Sequence, residues 1–414
     1  MTQPQIEIIP LRPAVRSDAP VTVDVLLRIT PPTSDRPLTR PPLNLALVLD
    51  RSGSMATEKK LTYAKDAAIG VIEQLLPTDR VSVIIFDDEV TNLVPSTLTT
   101  DKNQIISLIR SVAPGGSTAL HGGWKAGADQ VRRHLIPGGL NRVLLLSDGL
   151  ANVGITEPDA IAGDVHSATR EGITTSTLGV GLDYNEDLME AMARSGDGNY
   201  YFIESPTQLP TIFATELHGL MATVGQRVSL GIEPAAGVVV ADVLNDFDPL
   251  PTGRWKLPNL VHGMPITVVV RLNVPASTGE VSIAQFRIAW TAPGSEVRQV
   301  LTSELRLPAV DQASWNALVP VAAVQEQVAF LLIARAKKQA ALDLARGDRA
   351  ATMGHMIDAQ MILKSMPLSP DALKEAAALD EIAADLSRGE ETLFQKKAKY
   401  QTHQRRRSKG YDPS

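Results

Sequence analysis

The chain of 414 residues contains no cysteine. Disulfides and thiolate-bound metals are therefore excluded, and a reducing compartment fits. Aromatic residues are scarce at 4% against 44% hydrophobic residues overall, so the packed cores must be aliphatic. No apolar run approaches the roughly 18 residues that a membrane span needs. The opening MTQPQIEIIPLRP lacks the basic segment and apolar run of a secretory signal. The expected location is thus the cytoplasm. A net charge of −6 argues against a general nucleic-acid surface, and no nucleic-acid partner is expected. Neither a G-x-S-x-G nucleophile elbow nor a G-x-x-x-x-G-K-[ST] phosphate loop is present. With no catalytic motif, an enzyme is not expected.

What is present falls into blocks. Residues 5–30 hold β-branched stretches, QIEIIPL and VTVDVLLRIT, and a proline-rich connector follows at 31–42. From residue 43 apolar strands alternate with helical patterns. The strands are LNLALVL, RVSVIIF (80–86), NRVLLLS (141–147), GITTSTLGV (172–180) and NYYFI (199–203), with a short edge strand around 90–94. Helical spacing covers 58–76, 101–112, 118–135, 157–170, 185–194 and 206–223. Such alternation predicts an α/β fold, an open and mostly parallel sheet with helices on both faces. After residue 225 only short strands between Gly and Pro turns remain, which predicts a β-sandwich. The N-terminal strands have no neighbours of their own, so they are expected to complete it. The expected organisation is 1–42 and 225–310 as one discontinuous β-sandwich, 43–224 as an inserted α/β domain, 311–403 as helical hairpins, and 404–414 as a disordered basic tail.

Three polar signals fall where ligands of such a sheet bind, outside the carboxyl ends of strands. LVLDRSGSM places Asp50, Ser52 and Ser54 at alternate positions after the first α/β strand. PGGSTAL puts Thr118 in a glycine-rich loop at a helix start, and LLLSDG puts Asp148 at another strand end. Five oxygen donors with two carboxylates suit a hard divalent cation such as Mg²⁺, with Mn²⁺ or Ca²⁺ as alternatives. The plain alternative is an Asx turn at Asp50–Ser52 and a helix cap at Thr118. Asp50 itself reads as a strand-end surface carboxylate.

The set Asp50-x-Ser52-x-Ser54, Thr118 and Asp148 resembles the metal-ion-dependent adhesion site of von Willebrand factor type A domains, and residues 43–224 look like a complete domain of that family. The flanking β-region is similar to bacterial proteins akin to inter-alpha-trypsin inhibitor heavy chains and calcium-activated chloride channel regulators. The resemblance implies a Rossmann-like fold and a non-enzymatic interaction scaffold. In it an Asp or Glu of a partner protein completes the coordination of a bound Mg²⁺. It makes a MoxR-type AAA+ ATPase a plausible partner. The competing reading is a Mg²⁺-dependent enzyme or metal-handling subunit acting on an anionic small molecule. A sliding motion of the helix at 206–223 is expected to couple the metal site to the following strands.

Further signals carry less. Asp87–Asp88 reads as a solvated turn or an acidic rim of the site. His121 lies close in sequence to Thr118. Met353, Met356, Met361 and Met366 read as adaptable core. Arg405, Arg406, Arg407 and Lys409 form the basic end of the chain.

Overall fold

The structure, a computed structural model, describes residues 3–32 and 41–408. They divide into two compact units, one drawn from Met1–Pro37, Val224–Ala292 and Val297–Ser414, the other from Leu38–Thr223 with Pro293–Glu296.

The chain opens with strands β1 (Gln5–Pro10), β2 (Val15–Arg16) and β3 (Val21–Thr30). The α/β unit then runs β4 (Leu43–Asp50), α1 (Lys60–Gln74), β5 (Arg80–Phe86), β6 (Val90–Leu98), α2 (Lys102–Arg110), α3 (Leu120–Arg132), β7 (Leu140–Ser147), α4 (Pro158–Glu171), β8 (Ile173–Val180), α5 (Glu186–Ser195), β9 (Asp197–Ile203) and α6 (Leu209–Met221). Its sheet has the order β6-β5-β4-β7-β8-β9. Only β6 is antiparallel. Every residue of β4 and β7 is buried, as expected for strands covered on both faces. The strand order reverses between β4 and β7, which makes their carboxyl ends the topological switch point. β6 is longer than the sequence suggests, and it carries Pro95 at the sheet edge, where a missing N–H is tolerated.

Two features fix the helices around this sheet. Helix α3 lies close because it has no side chains at the contact. A Cβ at Gly123 would sit 2.6 Å from Phe86 Cδ1, and one at Gly127 2.5 Å from Val48 Cγ2. Helix α6 is fastened by Glu216, which is 2% exposed. Its carboxylate accepts from Arg142 Nη1 (2.9 Å), Ser176 Oγ (2.6 Å), Asn199 Nδ2 (2.6 Å) and Tyr201 OH (2.7 Å). Burial lowers the pKa of Arg142, and the charge of Glu216 opposes that shift.

The second unit continues with β10 (Thr223–Pro234), β11 (Val239–Val243), β12 (Trp255–Lys256), β13 (Leu260–Val261), β14 (Ile266–Val274), β15 (Glu280–Thr291) and β16 (Arg298–Val310). One sheet has the order β1-β3-β14-β11, the other β12-β10-β15-β16-β2. β3 pairs with β14 from Val21 to Ile29, so the N-terminal strands share a sheet with strands more than 200 residues later. Val25, Leu27, Val268 and Val270 of one sheet and Leu230, Phe286 and Ile288 of the other belong to one largely aliphatic core. The α/β unit is thus inserted in a β-sandwich.

Helices α7 (Gln312–Ala317), α8 (Ala322–Ala345), α9 (Arg349–Lys364), α10 (Pro370–Ser387) and α11 (Glu391–Arg406) complete the chain. Ile333, Leu379, Ile382 and Phe394 share their core. The expectation of a disordered tail from residue 404 is overturned for the described part. Helix α11 runs through Arg406. Arg405 donates to Glu375 at 2.5 Å and stacks on Phe330, and Arg406 donates to the carbonyls of Asn245 and Asp246. Glu375 also accepts from buried Lys337 at 2.6 Å. Lys409 and the residues after it lie outside the described residues. Of the methionines, Met356 is core, whereas Met353 and Met361 are exposed. Among the described residues no helix is long and apolar enough to cross a membrane.

Candidate metal centre

The parallel register pairs Leu49 of β4 with Leu146 of β7. That register brings Asp50 beside Ser147, and Ser147 Oγ donates to Asp50 Oδ2 at 2.5 Å. The other carboxylate oxygen accepts from the Ser52 N–H at 2.8 Å. This is the Asx turn of the plain alternative, and here it serves to aim the next residues. Ser52 Oγ lies 3.1 Å from Ser54 Oγ, and Ser54 Oγ donates to Asp148 Oδ1 at 2.6 Å. The other half of the alternative fails, because the cap residue of α3 is Ala119 and no side chain caps that helix. The Thr118 hydroxyl lies instead beside Gly149. A Cβ at Gly149 would lie 3.1 Å from Thr118 Oγ1 and 3.8 Å from Ser54 Oγ. Thr118 Oγ1 and Ser54 Oγ thus both lie beside Gly149.

All five residues foreseen in the sequence therefore converge on one place. Asp50 and Asp148 are fully buried, Ser52 and Thr118 nearly so, and Ser54 is half-buried. Asp50 is not the surface group expected. Burial and the nearby charge of Asp148 push its pKa up to about 6, against the lowering effect of the bonds from Ser147 and Ser52. Two carboxylates and three hydroxyls gathered in a desolvated setting that penalises uncompensated negative charge fit a hard divalent cation.

The loops that carry these residues are braced by Asp87, which is neither a solvated turn nor a rim. It is 4% exposed and pairs with Arg51 at 2.9 Å. It also accepts from the N–H groups of Glu89 (3.0 Å) and Gly116 (3.2 Å). Burial alone would raise its pKa, but these bonds and the Arg51 charge outweigh it and leave the value lowered. Backbone bonds from Gly53 N–H to Gly116 O (2.9 Å) and from Gly115 N–H to Arg51 O (2.6 Å) tie the first and second loops together. Asn152 Oδ1 accepts from the Thr118 N–H at 2.9 Å, which joins the second and third loops. His121 is buried and paired with Asp164 at 2.9 Å.

One neighbour was missed in the sequence. Lys60 is 5% exposed, and its ammonium donates to Asp148 Oδ2 at 2.9 Å. It reaches that position because Glu58 (φ 51°) and Lys59 (φ 58°) are both left-handed. Each such non-glycine residue costs about 1–2 kcal/mol. Nothing in the string TEKK marks this turn, since a left-handed pair is ordinarily signalled by Gly or Asn.

Residues 44–215 match the model of the von Willebrand factor type A domain. The chain is 31% identical to the YfbK protein of Escherichia coli over 194 residues, 47% of this chain and 34% of that protein. It is 29% identical to the sll0103 protein of Synechocystis over 330 residues, 76% of this chain and 77% of that one. Human inter-alpha-trypsin inhibitor heavy chain H4 is 29% identical over 170 residues, 39% of this chain and 18% of H4. The chain thus spans about a third of YfbK and under a fifth of H4. The fold is shared with the crystal structure of VWA2, an ArnB paralog from Sulfolobus acidocaldarius, at a TM-score of 0.65, covering 97% of this chain and 98% of that one at 16% identity. Together with the strand order, the family match identifies residues 44–215 of the chain as a von Willebrand factor type A domain.

Proposed function

We propose that the chain is a Mg²⁺-dependent protein-interaction scaffold, in which Asp50, Ser52, Ser54, Thr118 and Asp148 would hold the ion and an Asp or Glu of a partner protein would complete its coordination. The observation that carries this reading is the gathering of two fully buried carboxylates with the Ser52, Ser54 and Thr118 hydroxyls at the strand ends, Ser54 bonding directly to Asp148. When bound, the ion supplies a Lewis-acidic position for a carboxylate oxygen. The residues of the chain do the rest. Ser147 and the Ser52 N–H fix the Asp50 carboxylate, Ser54 links the first loop to Asp148, and Asp87 holds the glycine loop in place. A hard ion that keeps several waters can exchange one for an incoming carboxylate, which suits reversible docking. An AAA+ ATPase of the MoxR kind is the partner class to test first, on the likeness to the family.

Calorimetric titration with Mg²⁺ and Mn²⁺ tests the site, with Asp50→Ala and Ser54→Ala as variants. Saturable binding in the wild type, lost in Asp50→Ala, is expected. Capture of a candidate partner that persists in EDTA or in Asp50→Ala would remove the metal from the interaction. Absence of metal binding by the folded wild type would remove the reading altogether.

A further inference from the structure

Lys60 has no place in the donor set, yet it occupies the centre. Its ammonium is buried and lies 2.9 Å from Asp148 Oδ2, while Ser54 holds Oδ1 of the same carboxylate at 2.6 Å. Both oxygens of Asp148 are therefore engaged within the chain. Asp50 is held differently. It is bonded by the Ser147 hydroxyl, the Ser52 N–H and the Ser52 side chain, and among the described residues no salt bridge reaches it. The side chain of Lys60 also runs past the end of β8, where a Cβ at Gly181 would meet Lys60 Nζ at 3.5 Å. The chain accepts two left-handed residues in succession to deliver this lysine. A lysine on the first turn of an ordinary solvent-facing helix would need no such turn.

We propose that Lys60 is a built-in counter-charge of the metal centre, a positioning residue that holds Asp148 by its ammonium and so keeps the bound ion short of negative charge. The inference rests on the metal-binding reading above. Two carboxylates alone would neutralise a divalent ion. With Lys60 in place one positive charge remains, and the bonds of Asp148 to Lys60 and Ser54 compete with direct contact, so that Asp148 would hold the ion through water. The centre then binds its ion weakly by itself and more tightly when an outside anion arrives. Lys60 thereby sets the class of ligand, an anionic group such as a carboxylate, and makes metal and ligand binding mutually reinforcing.

The test uses Mn²⁺ as the probe on the full chain, read by calorimetry and by water-proton relaxation, which reports the number of waters on the ion. Lys60→Met removes the charge, Lys60→Gln removes it while leaving a donor for Asp148, and Lys60→Arg keeps it. Both neutral variants are expected to bind Mn²⁺ more tightly, by about tenfold or more, since a unit charge is removed at close range. They should also show fewer coordinated waters, as Asp148 becomes a direct ligand. Lys60→Arg should stay near the wild type. Acetate should displace water from Mn²⁺ on the wild-type protein at concentrations that leave Lys60→Met unchanged. Neutral variants that bind Mn²⁺ equally or more weakly, with the same hydration, would overturn the proposal, because a merely structural lysine cannot raise affinity when lost. If neither the wild type nor the folded variants bind Mn²⁺, the metal reading itself falls and this proposal with it. If only the neutral variants bind, the wild-type chain does not hold the ion, and the metal reading and this proposal both fall.

Discussion

Replacing Asp50 by asparagine should make the metal-free protein more stable, although it removes a central residue of the site. The carboxylate is fully buried, and its pKa rises from 3.8 to about 6 on folding. At 1.36 kcal/mol per unit, keeping it ionised costs on the order of 3 kcal/mol at pH 7.5. That figure is already net of the bonds from Ser147 and the Ser52 N–H, which pull the value down. Asparagine keeps the acceptor for Ser52, and the Ser147 hydroxyl can reverse to accept from its amide. Linkage gives the sign. The native state holds the Asp50 proton up to about pH 6 and the unfolded chain only up to about pH 4, so wild-type stability falls as pH rises through that window. The advantage of Asp50→Asn is therefore fully present above about pH 6 and vanishes near pH 4. Mg²⁺ at about 1,000 times its dissociation constant should reverse the order, because it stabilises the wild type by about 4.1 kcal/mol. Hydrogen exchange at the β4 and β7 amides in EDTA and in Mg²⁺ reports this unit alone. A variant less stable than the wild type in EDTA at pH 7.5 would refute the reasoning and make Asp50 a structural anchor.

Four further outcomes follow from the packing. In Gly115→Ala the new Cβ would stand 1.8 Å from Asp87 Oδ2, so the brace must yield. Calorimetry should show metal affinity falling by about 10–100-fold, as for lost outer-shell partners. Gly70→Ala, which meets nothing within 4 Å in α1, should leave affinity unchanged and add about 0.5–1 kcal/mol of stability. Glu216→Ala leaves Arg142 buried without its carboxylate and should cost about 3–5 kcal/mol, read as faster exchange in β7 and β8. Deleting residues 404–414 removes the Arg405–Glu375 and Arg406–Asn245 bonds. Exchange in α8 and α10 should rise by the equivalent of about 1–3 kcal/mol, whereas an unstructured tail would leave it unchanged.

The α/β architecture and the five oxygen donors were legible because both are local. Strand ends and turn residues are adjacent in the string, and parallel sheets gather their ends on one edge. The burial of Asp50 was not legible, since it depends on the crossing loops at Gly53 and Gly116. Ser147 reads as the last residue of a strand, and only the register shows that it holds Asp50. Asp87 looks solvated beside Asp88 until Arg51 and the Gly116 N–H are found on it. Lys60 was hidden by a left-handed pair without glycine. The end of the chain misled for a different reason. KKAKYQTHQRRR is rich in charge, and charge ordinarily marks solvent. Here the partners are Glu375 and the carbonyls of Asn245 and Asp246, far away in sequence.

The carboxylate of Glu216 bears on how the domain can move. Helices that shift along their axis settle in register steps of about 5.4 Å, and a switch needs a second well of comparable depth. One turn before Glu216 stand Ile212 and Phe213, and one turn after it stand Gly219 and Leu220. None can receive Arg142, Ser176, Asn199 and Tyr201. A slide of α6 by one turn would trade four polar partners for an apolar wall against a buried guanidinium. A full-turn slide, the larger form of the motion expected from the sequence, is therefore disfavoured. A state change at the proposed metal site would then be expressed in the loops at the sheet edge, which are glycine-bearing and cross-tied, with α6 kept in register.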